Sequence, residues 1–163
     1  MFPSIGTAIA RTVVGFSENR MSSSEVVSIL NGLIRTCKGG EERYRTAVET
    51  LSNAEFRRLF NTLLQQRRQF ISELQAEIYR LEGNLRPDAS AESPDCVDMP
   101  DAEAEGDEPA VVSECERGEE LAVNNYREAL KTSLPLDVEY VVKRQYMDIK
   151  DAYDRIRILQ HAA

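Results

Sequence analysis

Apolar residues recur at every third or fourth position through most of this chain, and no segment alternates with period two over a useful length. That pattern restricts the fold to helices with one buried face each. Ser22 and Glu25 have the form of a capping box, after which Val26, Leu30, Leu33, Cys37, Tyr44, Val48 and Leu51 keep the helical period. A second box, Ser52 with Glu55, restarts the pattern through Phe56, Phe60, Leu63, Phe70, Leu74, Ile78 and Leu81 until Gly83. Further on, Val112, Cys115, Ala122, Tyr126 and Ala129 make a third stripe. Val138, Val142, Ile149, Ala152, Ile156 and Leu159 make a fourth, with Pro135 placed at its start. The predicted helices span residues 24–50, 53–83, 110–132 and 136–160. None is stable alone, so all four bury their stripes together, and the fold class is an all-α antiparallel four-helix bundle over residues 22–160.

Charge separates the helices into two pairs. Nine carboxylates and no base lie between Pro87 and Ala110, with four of the six prolines. The whole chain carries −8, so everything outside this stretch sums to +1. Few large apolar residues are present to offset the entropy of ordering it, and residues 87–110 read as an acidic linker. Two short-turned hairpins joined by one long connection is a ferritin-like wiring. Twenty-four residues suffice for the crossing, since a helix of this size is ~40 Å long and an extended residue covers ~3.3 Å. The linker also offers residues 88–108 as a surface for a basic protein partner. The carboxylates lack the spacing of an EF-hand loop.

The halves echo one another. Cys37-Lys38-Gly39-Gly40-Glu41-Glu42 and Cys115-Glu116-Arg117-Gly118-Glu119-Glu120 share Cys-x-x-Gly-Glu-Glu at an offset of 78, each followed by a Tyr-Arg pair, Tyr44-Arg45 and Tyr126-Arg127. Arg68-Gln69-Phe70-Ile71 is answered by Arg144-Gln145-Tyr146-Met147. Two matches in the same order point to a duplicated hairpin. With Leu30 to Glu42, Gln65-Gln66-Arg67 before Phe70, Glu73-Leu74, Glu114 to Glu119 and Asp154-Arg155-Ile156-Arg157, the chain resembles a family of bacterial ferritin-like four-helix bundles catalogued as a domain of unknown function. The resemblance covers both hairpins. It implies the fold and superfamily and no particular reaction.

Ferritin-like di-iron proteins draw one Glu from each of two helices and Glu-x-x-His from each of the others. Glu41 and Glu119 match the lone carboxylates, but the predicted second and fourth helices carry no His, and the single His161 lies at the C-terminal end. Arg67 occupies a seam position between Leu63 and Phe70. An unpaired guanidinium there is strongly unfavourable, so it is expected to meet a carboxylate: Glu41 or Glu42 across the hairpin, or Glu119 from the diagonal helix. Glu41, Glu42, Arg67, Glu119 and Gln145 are therefore read as a structural polar cluster. The competing reading keeps an all-oxygen site at Glu41, Glu73, Glu119 and Asp148 for a hard divalent metal such as iron, manganese or calcium.

Other chemistry finds little support. Cys37, Cys96 and Cys115 form no C-x-x-C, and the odd count suits a reducing cytoplasm; Cys37 and Cys115 fall on apolar stripes, while Cys96 lies in the linker. Tyr44, Phe70, Tyr126 and Tyr146 read as core residues, the tyrosine hydroxyls reaching the surface or the polar cluster. The acidic balance argues against nucleic acid, and no apolar run approaches the roughly 20 residues of a transmembrane helix. Residues 1–21 form an N-terminal extension with a weak stripe, Ile5, Ile9, Val13 and Phe16, interrupted by Arg11 and lacking a leader's cleavage site. The ridge Arg57, Arg58, Arg67 and Arg68 suggests self-association. The expectation is a cytoplasmic, non-enzymatic, oligomeric bundle without catalytic or cofactor-binding residues, acting through self-assembly or a partner; the alternative is a metal-binding or oxidoreductase-type bundle with a degenerate carboxylate site.

Overall fold

A computed structural model describes residues 21–82 and 108–162. These residues form four α-helices: α1 (Ser23–Thr50), α2 (Ala54–Glu82), α3 (Glu108–Leu130) and α4 (Leu136–Ala162). The first cap is the one the sequence predicts. Ser22 accepts from the Glu25 amide while the Glu25 carboxylate accepts from the Ser22 amide. The second differs. Asn53, not Ser52, caps α2, its Oδ1 accepting from the amides of Glu55 at 2.9 Å and Phe56 at 3.2 Å. A single amide oxygen thereby satisfies two of the unpaired donors of the first turn.

Ser52 is used elsewhere. Its amide donates to Glu108 Oε1 at 2.6 Å, and its hydroxyl donates to the same oxygen. These bonds hold the Glu108 carboxyl below the usual carboxylate range. They also tie the α1–α2 turn to the start of α3, which corrects the predicted boundary: Glu108, Pro109 and Ala110 are helical and not linker. A proline needs no amide partner in the first turn, and a carboxylate there suits the positive end of the helix dipole. The rest of the acidic stretch and residues 1–20 of the N-terminal extension, with Cys96 and the Ile5–Phe16 stripe, lie outside the described residues, while Met21 packs against the core.

Placing the start of α3 beside the α1–α2 turn makes α3 parallel to α2 and antiparallel to α1. Gln160 near the end of α4 donates to Ser113 near the start of α3 at 2.8 Å, which returns α4 to the same end. Helix α1 packs on α2 and α3, and α4 packs on α3 and α2, so α2 and α3 face each other across the diagonal. The interior divides into two apolar clusters. Val26, Leu30, Leu33, Phe70, Leu74, Val142 and Ile149 belong to one; Ala47, Leu51, Phe60, Leu63, Val112 and Ile156 belong to the other. Between them lies a polar layer.

Candidate functional site

The layer is built where the repeated motif crosses the middle of the bundle. Gly40 is buried, and a methyl group added there would lie 3.2 Å from Arg67 Nε, so the missing side chain makes room for the arginine's stem. Arg67, 1% exposed, crosses the interior to Glu119 on the diagonal helix, also 1% exposed. Its Nη2 donates to both Glu119 oxygens and its Nη1 to Gln66 Oε1 at 2.9 Å. The guanidinium carbon lies 5.7 Å from the Tyr44 ring centre and 5.5 Å from that of Phe70. Burial opposes the charge, but the Glu119 carboxylate outweighs it and holds the Arg67 pKa above its ordinary value. A desolvated guanidinium retained between two aromatic rings on a desolvated carboxylate is a closed ion pair.

Beside it runs a chain of hydrogen bonds linking all four helices. The Tyr126 hydroxyl donates to Gln145 Oε1 at 2.7 Å, which leaves Cys37 Sγ, 3.2 Å away, to donate to the tyrosine oxygen. Gln145 Nε2 donates to the Phe70 carbonyl and to Glu73 Oε2, both at 3.4 Å, and Arg144 closes the chain on that same carboxylate oxygen. Burial raises the pKa of the Cys37 thiol, an effect partly offset by Tyr126, and raises that of the Tyr126 hydroxyl further. Burial, then the nearby charge of Glu119, does the same to the hydroxyl of Tyr44. That hydroxyl is buried without a partner of good geometry among the described residues. Thiols and phenols so placed stay protonated, which removes them as nucleophiles or bases.

Of the three carboxylates expected for Arg67, the structure pairs it with Glu119 on the diagonal helix and not with Glu41 or Glu42 across the hairpin. Glu41 follows Gly40 by one residue, about 100° around the helix, and lies on the α1–α2 flank. There Arg68 Nε meets it at 2.9 Å and Arg45 Nη2 at 3.1 Å, while Glu42 takes Arg45 Nη1 at 2.7 Å. Of the five residues of the expected polar cluster, the interior brings together Arg67 and Glu119, places the fully buried Gln145 in the adjoining network, and leaves Glu41 and Glu42 outside. The predicted arginine ridge also changes: Arg57, Arg58 and Arg68 are exposed and Arg67 is not.

The di-iron arrangement implied by the fold does not fit these residues. Three of the four carboxylates weighed as ligands already carry guanidinium groups: Glu41 those of Arg45 and Arg68, Glu73 that of Arg144, Glu119 that of Arg67. Asp148 is half-buried on α4, and His161 is exposed at its end. No group of three or more His, Cys, Asp or Glu side chains converges among the described residues. A cation on the central carboxylate opposes a second cation.

Sequence reasoning missed two participants. Arg43 lies over Gly118, where an added methyl group would stand 2.1 Å from its Nε, so both glycines of the repeat accommodate an arginine from a neighbouring helix. The other is Cys37, read only as an apolar-stripe residue, whose thiol joins Tyr126 and the expected cluster member Gln145. Arg43, Arg35, Thr36 and Asn125 line a groove of about 670 Å³ between α1 and α3, floored in part by Gly32, Gly39 and Gly118.

Residues 25–132 match the model of a family described as Domain of unknown function (DUF2383), and the chain belongs to that family. No curated protein matches it. Among solved structures it is similar to a two-domain protein of Anabaena variabilis containing DJ-1/ThiJ/PfpI-like and ferritin-like domains, with a TM-score of 0.72 and 15% identity. The match covers 87% of this chain and 37% of the other, so the chain spans little more than a third of that protein's length. At that identity the likeness concerns the fold. Among the described residues no helix is long and apolar enough to cross a membrane.

Proposed function

We propose, with membership of that family as the premise, that the chain is a non-enzymatic ferritin-like bundle of the cytoplasm that acts through self-assembly or partner binding. The observation that carries this reading is the Arg67–Glu119 pair, buried at the point of the bundle where a ferritin-like enzyme would hold its metals. An ion pair closed on itself presents no open coordination position. The neighbouring hydroxyls and thiol are held protonated by burial. What is left for function is the exterior.

The alternative is a metal-binding or oxidoreductase-type bundle. One observation favours it: Glu73 Oε1 is buried without a hydrogen-bond partner among the described residues. Metal content of the full chain, purified without chelators and then again after incubation with Fe(II) and with Mn(II), separates the two. Less than one-tenth of a metal per chain, at about the level of adventitious binding, is expected. Stoichiometric iron or manganese, lost on Glu73→Gln or Glu119→Gln, overturns the reading.

A further inference from the structure

Helix α4 has two apolar faces. Val138, Val142, Gln145, Ile149, Ala152 and Ile156 point into the bundle. On the opposite side Leu136, Tyr140, Met147 and Ile158 are 83%, 71%, 63% and 67% exposed. Their spacings of four, seven and eleven residues place all four within about 40° of one line along the helix, on the side away from the core. Four of the six large apolar side chains that the described residues expose lie on this one line; the others, Tyr79 and Leu121, stand singly on α2 and α3. Scattered exposed apolar residues are ordinary, but four in a row along a helix, with the exposed Lys143 and Asp154 on the same side, make an amphipathic surface of the kind that pairs with another helix.

The charges along the row state which helix it fits. Reading along α4, Asp137 and Glu139 are acidic, Lys143 and Arg144 basic, then comes Met147, then Asp151 and Asp154 acidic, then Arg155 and Arg157 basic. Reflection through Met147 inverts the sign in three pairs, while Lys150 falls opposite Arg144 as one like pair and Asp154 falls opposite Tyr140. Two copies of α4 laid antiparallel with their Met147 side chains opposed bring Leu136 against Ile158, Lys143 against Asp151, Glu139 against Arg155 and Asp137 against Arg157. A parallel pair would oppose like with like. With Asp148 and Lys150 beside the axis, the face carries five acids and five bases, so it lacks the basic excess that draws a protein to nucleic acid or an anionic membrane. Arg155 also meets Asp151 on its own helix at 3.0 Å, and Arg157 meets Glu116 at 3.6 Å. Both are half-exposed pairs of small worth that extend into the same network.

We infer that α4 docks antiparallel on α4 of a second copy of this chain, about a two-fold axis at Met147. The inference rests on the self-assembly reading above and gives it a surface. Such an interface is isologous, each half supplying the partner of the other.

Sedimentation of the full chain over a range of concentrations tests it. The native chain is expected to give dimer mass that dissociates on dilution. M147D sets two carboxylates on the axis and should weaken the dimer by at least about tenfold, with unchanged helical circular dichroism because Met147 faces water. In a C96S background M147C should oxidise to a linked dimer, since a residue on the axis meets its own copy. L136C should not, its copy lying about 33 Å away along the helix at 1.5 Å per residue. A native dimer that M147D leaves intact, or one that L136C links and M147C does not, overturns this face and leaves self-assembly standing. A chain monomeric at every concentration overturns both.

Discussion

Glu41 and Glu119 hold the same place in the same six-residue motif, and their surroundings make them different kinds of residue. Glu41 lies on the flank of the first hairpin, partly exposed, shared between Arg45 and Arg68. Glu119 is sealed in the interior on a single buried arginine. The asymmetry comes from their partners: at the 78-residue offset of the Cys-x-x-Gly-Glu-Glu motif the buried Arg67 of α2 corresponds to the buried Gln145 of α4, two positions out of step with the 76-residue offset of the Arg68–Ile71 match. One half supplies the cation and the other the carboxylate. The second half's own seam position is a neutral amide that joins Tyr126 and Glu73 instead. Arginine at both places would have put a second guanidinium into the layer where Arg67 already takes both oxygens of Glu119, a far more costly arrangement. A duplicated motif therefore conserves geometry along the chain, while the burial of its charge depends on what stands across the bundle.

The contrast breaks most directly at the two glutamates. Glu119→Gln leaves Arg67 buried without its counter-charge and is expected to cost about 3–5 kcal/mol, whereas Glu41→Gln should cost about 0–1 kcal/mol. Urea denaturation of both variants measures the difference, and equal losses would end the distinction between the halves. The two motif cysteines sharpen it. Burial pushes the Cys115 thiol from an ordinary 9.0 up to about 12, with Arg43 pulling weakly the other way. The folded chain thus keeps a proton that the unfolded chain releases, so stability is complete below pH 9 and falls above it, by about 1.4 kcal/mol per pH unit for this one group. Thermal melts from pH 8 to 11 should show that decline, and Cys115→Ala should flatten it by one proton's share; an unchanged slope would remove the buried thiol from the account. The smallest effect concerns the glycines. Arg67 is held at both ends, so Gly40→Ala should cost about 1 kcal/mol. Arg43 can swing outward, so Gly118→Ala should be neutral or gain up to about 1 kcal/mol from helix propensity. Chemical denaturation of the pair reads the order, and a reversed order would show that Arg43, not Arg67, is the constrained side chain.

Much of this was legible in the chain. The helices follow from apolar spacing and from the Ser22–Glu25 cap, because those signals are local. Arg67 announced itself as a charge on a seam, which requires a counter-charge wherever the seam is buried. Its partner was not legible, since Glu41, Glu42 and Glu119 are equally acidic in sequence and only the three-dimensional arrangement distinguishes a flank from a diagonal. The start of α3 was misplaced for a related reason. Glu108 and Pro109 have the composition of the acidic stretch before them, and their helical role depends on Ser52, which is remote in sequence and adjacent in space. The outer row of α4 is periodic in the sequence as well, yet a second apolar face can be told from a wider first face only once the core is known.

The sequence by itself determined four amphipathic helices, their pairing into two hairpins and the presence of a charge in the interior, because periodicity, capping and the cost of burying an ion act over a few residues. Which carboxylate meets that charge, which copy of the motif turns inward and which side of α4 is left to water were decided only by the tertiary structure, because each depends on the distance between helices far apart in the chain.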